Sequence, residues 1–156
     1  MTIDSREHEI RMRVVDAATG ELGPGRVAEY WRDVLGPAWV GPPPPHWCGA
    51  FALWCLHQAG LALDVQWRVG RGFLMVGRRP LNATTSPQPG DIVYHTKFQH
   101  HAIVSHVLGD KVHTIDGNQG NINGFPVRTK RHIKGAPGVT YFSISRFVRD
   151  ALAAAP

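Results

Sequence analysis

The segments WCGAFALWC at residues 47–55 and PGDIVYHTKFQHHAIV at residues 89–104 decide the fold of this chain. The first is apolar almost throughout and is followed by Gly60, which predicts a helix over residues 48–59 that is buried on all sides. The second begins with a Pro-Gly turn and is rich in β-branched residues, which predicts strands at 92–94 and 100–108. A buried helix followed by strands indicates a helix packed on a sheet.

The remaining pattern extends this arrangement in both directions. Helical periodicity predicts helices over 5–19 and 26–35, ahead of the proline-rich stretch at 41–47. After an irregular stretch at 61–88, further strands are predicted at 111–115 and 141–144, with a hairpin turn at 109–110. The predicted fold class is therefore α+β, with N-terminal helices and a central helix packed on an antiparallel sheet. We expect one domain over residues 1–156, with a helical extension at 1–24, a core at 25–145 and a frayed tail at 150–156.

Composition narrows the classes of partner. The chain has 156 residues, of which 43% are hydrophobic, and a formal net charge of +5. These values indicate a globular chain, and its basic surface suits an anionic partner. We expect the protein to be a monomer. The basic residues are scattered without interleaved aromatic residues, so we do not expect nucleic-acid binding. No apolar run is long enough to span a membrane, and no signal peptide is visible, so localisation is left unassigned.

Two cysteines are present, and one stands where the central helix begins. Cys48 and Cys55 would lie about 10 Å apart along one helix, which is too far for a disulfide. A helix N-terminus favours a thiolate, so Cys48 is a candidate nucleophile, with a small buried hydrophobe as the alternative. Cys55 is surrounded by apolar residues and is expected in the core. Because CxxC and HExxH motifs are absent, we expect no metal site and no cofactor. The nine histidines leave a metal-binding protein as an alternative.

A histidine doublet supplies the candidate base. Neighbouring residues on a strand point to opposite faces, so His100 and His101 are separated. If Ile103 faces the core, His101 lies on that side and His100 shares the other face with Ala102 and Val104. Because Ala102 is small and leaves room for a substrate, His100 is the predicted base. The reverse assignment, with His101 as the base, stays open.

The segment TIDGN at 114–118 offers a group to orient the imidazole. A catalytic histidine needs a neighbour that holds its tautomer and orientation. By the strand period of two, Asp116 and Asn118 are expected on one face, one hairpin after His100. An ordinary turn is the alternative for the DGN sequence.

Taken in order, WCGAF, PGDIVY, HHAIV and TIDGN resemble the motifs of CHAP domains, the cysteine, histidine-dependent amidohydrolases/peptidases of the papain-like clan. The resemblance covers about residues 25–145 and implies a papain-like α+β fold. It also implies that Cys48 is the nucleophile, His100 the base, and Asp116 and Asn118 the counterparts of a family Glu and Asn. The chain departs from the family pattern in two places. Asp116 is shorter than Glu by one methylene, and His101 replaces a Val.

The resemblance also implies an activity. CHAP domains most often hydrolyse amide bonds of bacterial cell-wall peptidoglycan without a metal or cofactor, and a basic chain suits that polymer. His46, Trp47 and His101 are candidates for contacts with substrate or oxyanion. The alternatives are a cysteine amidase or protease acting on a small conjugate or host protein, and a non-catalytic wall-binding module. Any delivery or immunity partner is left unassigned.

Overall fold

The computed structural model describes residues 3–43, 45–61, 63, 75–76, 79–120 and 126–155. The described residues form four α-helices, which are α1 (Ile3–Gly20), α2 (Val27–Leu35), α3 (Cys48–Gln58) and α4 (Ser145–Ala154). The first three correspond to the three helices that hydrophobic periodicity predicts. None of the described helices combines the length and the apolar character needed to cross a membrane.

The described strands form one large sheet and one short hairpin. They are β1 (Met75–Val76), β2 (Arg79–Pro80), β3 (Asn82–Thr84), β4 (Ile92–His95), β5 (His100–Leu108), β6 (Lys111–Asp116), β7 (Arg128–Ile133) and β8 (Val139–Ser143). β1 pairs with β2, and the other six form an antiparallel sheet in the order β3-β8-β4-β5-β6-β7. The predicted α+β class and antiparallel sheet are confirmed. Residues 64–74 of the stretch predicted to be irregular lie outside the described residues.

The C-terminal end differs from the expected frayed tail, because α4 continues to Ala154. Phe147 and Val148 are buried in the main core. Ala151 and Leu152 lie one turn further along the helix and pack against the same core. This apolar stripe holds the C-terminal helix on the core. The alanine-rich sequence of the tail does not reveal that packing.

α3 occupies the centre of the fold. Its residues from Cys48 to Leu56 are all buried, as the continuous apolar run predicts. Those from Ala50 to Leu56 form one hydrophobic core with the sheet residues Ile92, Ile103 and Ile115, which share the face turned towards α3. The start of α3 is thereby held against the beginning of β5.

The opposite face of the sheet covers a second, smaller cluster that includes Val93, Ala102 and Val104. Ala102 is fully buried in this cluster, so the space expected beside it for a substrate is filled by protein. The sheet coils around the cluster: the ring of His132 in β7 stacks on Tyr141 in β8, with Nε2 and the hydroxyl 2.8 Å apart. Three strands separate β7 from β8 within the sheet, so this contact closes its concave face.

A buried ion pair joins α1 to the turn before β4. Arg11 Nη1 donates to Asp91 Oδ1 at 2.8 Å, and Arg11 Nη2 donates to Ser145 Oγ at 2.6 Å. Asp91 also accepts the backbone N–H groups of Gln88 and Ile144. Burial raises the pKa of Asp91, and the guanidinium of Arg11 acts in the opposite direction. The Asp of the PGD motif therefore holds the two ends of the chain and the turn together.

Candidate active site

Cys48 is the first residue of α3, and only 7% of its surface is exposed. Sγ lies 3.9 Å from the carbonyl oxygen of Gln99, to which the thiol can donate, and 3.9 Å from Nδ1 of His101. Gln99 has a φ of 48°, a left-handed conformation that few residues other than glycine adopt. The start of α3 leaves backbone N–H groups without partners inside the helix, which favours negative charge at this sulfur.

His100 and Asp116 form the second part of the site. His100 opens β5, Asp116 ends β6, and His100 Nε2 lies 2.8 Å from Asp116 Oδ2. The other carboxylate oxygen accepts a hydrogen bond from the hydroxyl of Thr114. Asp116 is 1% exposed, so its charge is directed at the imidazole and is little screened by water. The pair is therefore built to hold one orientation of the His100 ring.

The surroundings of His100 favour its charged form. Burial lowers the pKa of His100, but hydrogen bonds and charge interactions with Asp116 and Cys48 outweigh it and raise the pKa to about 9. His100 is consequently an imidazolium at neutral pH. A cationic imidazole that interacts with a thiol stabilises the thiolate, which is the nucleophilic form.

His101 has the opposite character. It is 1% exposed and its ring contacts Tyr94 with 4.9 Å between centroids. Burial, helped by the nearby imidazoles of His100 and His95, lowers the pKa of His101 to about 3. His101 is therefore neutral at physiological pH, and Nδ1 faces the sulfur as a neutral group.

A cavity of about 530 Å³ opens at Cys48 and His100. Its lining contains one lysine, three histidines and no acidic residue among the described residues. The lining residues are His46, Cys48, His95, Phe98, Gln99, His100, Asn118, Gln119 and Lys130. The thiol and the charged imidazole thus face one space that a substrate can enter.

Comparison with known proteins identifies the family. The family model described as CHAP domain matches residues 39–118, just over half of the chain. The chain belongs to the CHAP-domain family. CHAP domains are generally hydrolases of the amidase or peptidase type.

Curated proteins and solved structures add little to this family assignment. A search of curated proteins finds no match for this chain. Among solved structures, the crystal structure of Ly7917 is similar, with a TM-score of 0.49 and 18% sequence identity. The similarity covers 85% of this CHAP chain and 61% of the Ly7917 chain, so the protein spans less than two thirds of that relative's length.

The matched stretch of the CHAP domain contains all four residues that the sequence nominates as catalytic. Cys48 and His100 line the same cavity, and Asp116 contacts His100. Asn118 lines the cavity, but its φ of 58° takes it out of the strand, so it does not share a strand face with Asp116 as expected. The reason is that β6 ends at Asp116 and a turn begins.

The amide that contacts His100 belongs to Gln119. Gln119 Nε2 lies 3.0 Å from His100 Nε2, and Lys130 Nζ donates to Gln119 Oε1 at 2.7 Å. Neither Gln119 nor Lys130 was predicted from the sequence to belong to the site. The position of Gln119 directly after the TIDGN motif could have suggested a role in the site. Lys130 lies on β7, a strand that was not predicted.

Of the other residues predicted to contact substrate or oxyanion, His46 lies at the cavity and Trp47 in the core. His46 is exposed and lines the cavity, where it can reach a bound ligand. Trp47 is 7% exposed and packs on Tyr30, with 5.8 Å between ring centroids. Within the described residues, no group of three or more His, Cys, Asp or Glu side chains is arranged to hold a metal ion.

Proposed function

We propose that this CHAP domain is a cysteine-dependent amidase or endopeptidase that hydrolyses amide bonds of bacterial peptidoglycan. The observation that carries the proposal is that Cys48 and His100 line one cavity, with Asp116 buried against the His100 ring. Cys48 begins α3, and the buried Asp116 lies 2.8 Å from the His100 ring that interacts with the thiol. These are the three groups that a thiol nucleophile needs: the sulfur, a proton carrier and an orienting carboxylate.

In the first half of the proposed reaction, the Cys48 thiolate attacks the carbonyl carbon of the scissile amide. The C–N bond breaks as the tetrahedral intermediate collapses, and the His100 imidazolium gives its proton to the leaving amine. The products of this half are a free amine and a thioester on Cys48. His100 is left neutral.

In the second half, neutral His100 takes a proton from water, and the resulting hydroxide attacks the thioester carbonyl. Collapse of this intermediate releases a carboxylic acid and restores the thiolate beside the imidazolium. Asp116 stabilises the charged ring in both halves, while the Thr114 hydroxyl donates a hydrogen bond to the second carboxylate oxygen.

The oxyanion of each intermediate needs donors placed near the sulfur. The backbone N–H of Cys48, at the open start of α3, is the first candidate. His46 lines the cavity and is the candidate for a second donor from a side chain. Trp47 is left with a supporting role, since its packing on Tyr30 anchors the residue before the nucleophile.

Peptidoglycan is favoured as the substrate by charge as well as by family. The chain carries a net charge of +5, and the cavity lining includes Lys130 without any acidic side chain among the described residues. A polymer that carries carboxylates and phosphates is attracted to such a surface.

The test is digestion of purified peptidoglycan followed by mass spectrometry of the soluble fragments. The expected result is new pairs of amine and carboxyl ends, each fragment gaining the mass of one water. The matched control is Cys48→Ala, which should leave the polymer intact while keeping the melting temperature. Unchanged fragments with the wild-type protein, or identical products from Cys48→Ala, would overturn the proposal.

A further inference from the structure

Lys130 places a cation on the wall of the cavity, close to the His100 ring. Its Nζ donates to Gln119 Oε1 at 2.7 Å, and Gln119 Nε2 lies 3.0 Å from His100 Nε2. One amide group therefore separates the ammonium from the imidazole. The position is set by β7, where Lys130 stands opposite Thr114, which donates to Asp116.

The charge of Lys130 is left uncompensated by the residues around it. Its hydrogen-bond partner is a neutral amide, and no ion pair within the described part of the chain includes Lys130. An ammonium carries three donors, of which Gln119 accepts one. Lys130 is also exposed, so the remaining donors can meet a ligand in the cavity.

From this arrangement we infer that the cavity contains a carboxylate subsite at Lys130, which selects amide substrates with a free carboxyl group on the residue next to the scissile bond. The inference rests on the proposed function and specifies its substrate. The single amide group between Lys130 and His100 sets the short distance between the carboxylate and the reacting carbonyl. Gln119 holds the ammonium of Lys130 in place, because its Oε1 accepts a hydrogen bond from Nζ.

The test compares two peptidoglycan stem peptides that differ at one group, the α-carboxyl of the γ-linked glutamate, which is free in one and amidated in the other. Binding is measured calorimetrically with the Cys48→Ala protein, so that no turnover interferes. We expect the free-carboxyl peptide to bind about tenfold more tightly at low salt, and the preference to fall as ionic strength rises.

Two further variants identify the residue responsible. Adding Lys130→Met should bring the ratio of the two dissociation constants close to one. Adding Lys111→Met removes the same charge from an exposed lysine that is not part of the cavity lining, and should leave the ratio unchanged. Because both peptides meet the same protein, a general loss of stability cancels in the ratio.

Cleavage by the wild-type protein separates this inference from the proposed function. If both peptides are cut and bound equally, peptidoglycan hydrolysis stands and the carboxylate subsite is overturned. If binding prefers the free carboxyl through Lys130 but the wild-type protein leaves purified peptidoglycan as well as both peptides intact, the subsite stands and the proposed hydrolysis is overturned. A preference that survives Lys130→Met, or that is equally lost with Lys111→Met, also overturns the assignment to Lys130.

Discussion

Nδ1 of His101 lies 3.9 Å from Sγ of Cys48, yet His101 is the less basic of the two neighbouring histidines. Burial lowers the pKa of His101 to about 3, whereas Asp116 and Cys48 raise that of His100 to about 9. His101 is therefore the histidine with a ring nitrogen beside the sulfur, whereas His100 is the one with a pKa suited to carrying a proton. His101 is suited to packing beside the thiol, and His100 to exchanging protons with it.

This division predicts different outcomes for two alanine variants. His100→Ala should lower kcat by a factor on the order of 10²–10⁴, because it removes the proton carrier. His101→Ala should mainly lower the melting temperature, because it opens a cavity at a side chain that is 1% exposed. Steady-state turnover of one amide substrate, with circular dichroism as a check of folding, measures both. If a well-folded His101→Ala protein is inactive while His100→Ala turns over, the base is His101.

The two thiols should differ in reactivity. At neutral pH, iodoacetamide should label Cys48 well ahead of Cys55 in the folded protein, because burial raises the pKa of Cys55 well above its usual range and leaves it no exposed surface. Peptide mapping over a time course gives the two rates. After unfolding in urea the rates should converge, and equal labelling before unfolding would count against Cys48 as the nucleophile.

Removal of the orienting carboxylate should change the pH profile. Asp116 favours the protonated form of His100, so the alkaline limb of kcat/KM, where the imidazolium loses its proton, should lie near pH 9 in the wild type. In Asp116→Asn the pKa of His100 falls, and that limb should move to lower pH by about one unit or more. A pH–rate profile of both proteins measures the shift. An unchanged limb would show that Asp116 does not set the charge of His100.

Turnover near neutral pH should differ among variants of Asp116 and Asn118. Asp116→Ala should lose activity on the order of 10²–10⁴-fold, and Asp116→Glu should retain or recover it. Asn118→Ala should cost less, since Asn118 lies beyond the end of the strand. Near wild-type turnover of Asp116→Ala beside a large loss in Asn118→Ala would give the orienting role to Asn118.

The buried pair of Arg11 and Asp91 should matter for stability rather than chemistry. Either Arg11→Met or Asp91→Asn leaves the other charge, or its hydrogen-bonding groups, buried without the partner 2.8 Å away. Each should lower the free energy of unfolding by about 3–5 kcal/mol. Urea titration of both single variants and the double variant should give a double-variant loss smaller than the sum. Strictly additive losses, or single losses below roughly 0.5 kcal/mol, would contradict a coupled pair.

Gly117 should not tolerate a side chain. A Cβ there would lie 2.8 Å from the Trp47 ring and 2.9 Å from the Phe51 ring, closer than packed atoms approach. Gly117→Ala should lower the free energy of unfolding by about 1–3 kcal/mol and displace Asp116 next to it, reducing turnover. At Gly20 the added methyl group meets no described atom within 4 Å, so Gly20→Ala is the control for the substitution itself. Equal stability of the two variants would contradict this packing.

Much of this architecture follows from residue patterns within single segments. The apolar run of α3 and the β-branched run of β5 predict both elements, and the resemblance to CHAP domains implies that Cys48 lies near the histidine doublet. β7 was not predicted, because its sequence, RTKRHI, is polar and alternates weakly, as is common for an edge strand. Its place depends on pairing with β6, which is a property of two segments together.

The same limit applies to the site. Cys48, His100 and Asp116 stand in recognisable motifs, so the sequence could nominate them. The contact of Gln119 with His100 depends on the turn that follows Asp116, and Lys130 reaches Gln119 only because β7 pairs in register with β6. Ala102 is buried because the sheet coils around it, and this coiling is not evident from the sequence of any single strand.

The contacts of Arg11 with Asp91 and Ser145 join segments that lie outside the family match to one inside it. The family match begins at residue 39 and ends at residue 118, but the carboxylate inside it is neutralised from α1 and shares its guanidinium with the first residue of α4. A fragment cut to the matched stretch would keep every nominated catalytic residue and lose the cation that makes burial of Asp91 tolerable. We therefore expect the cooperative folding unit to extend beyond the family match at both ends, and a fragment for expression should include α1 and α4.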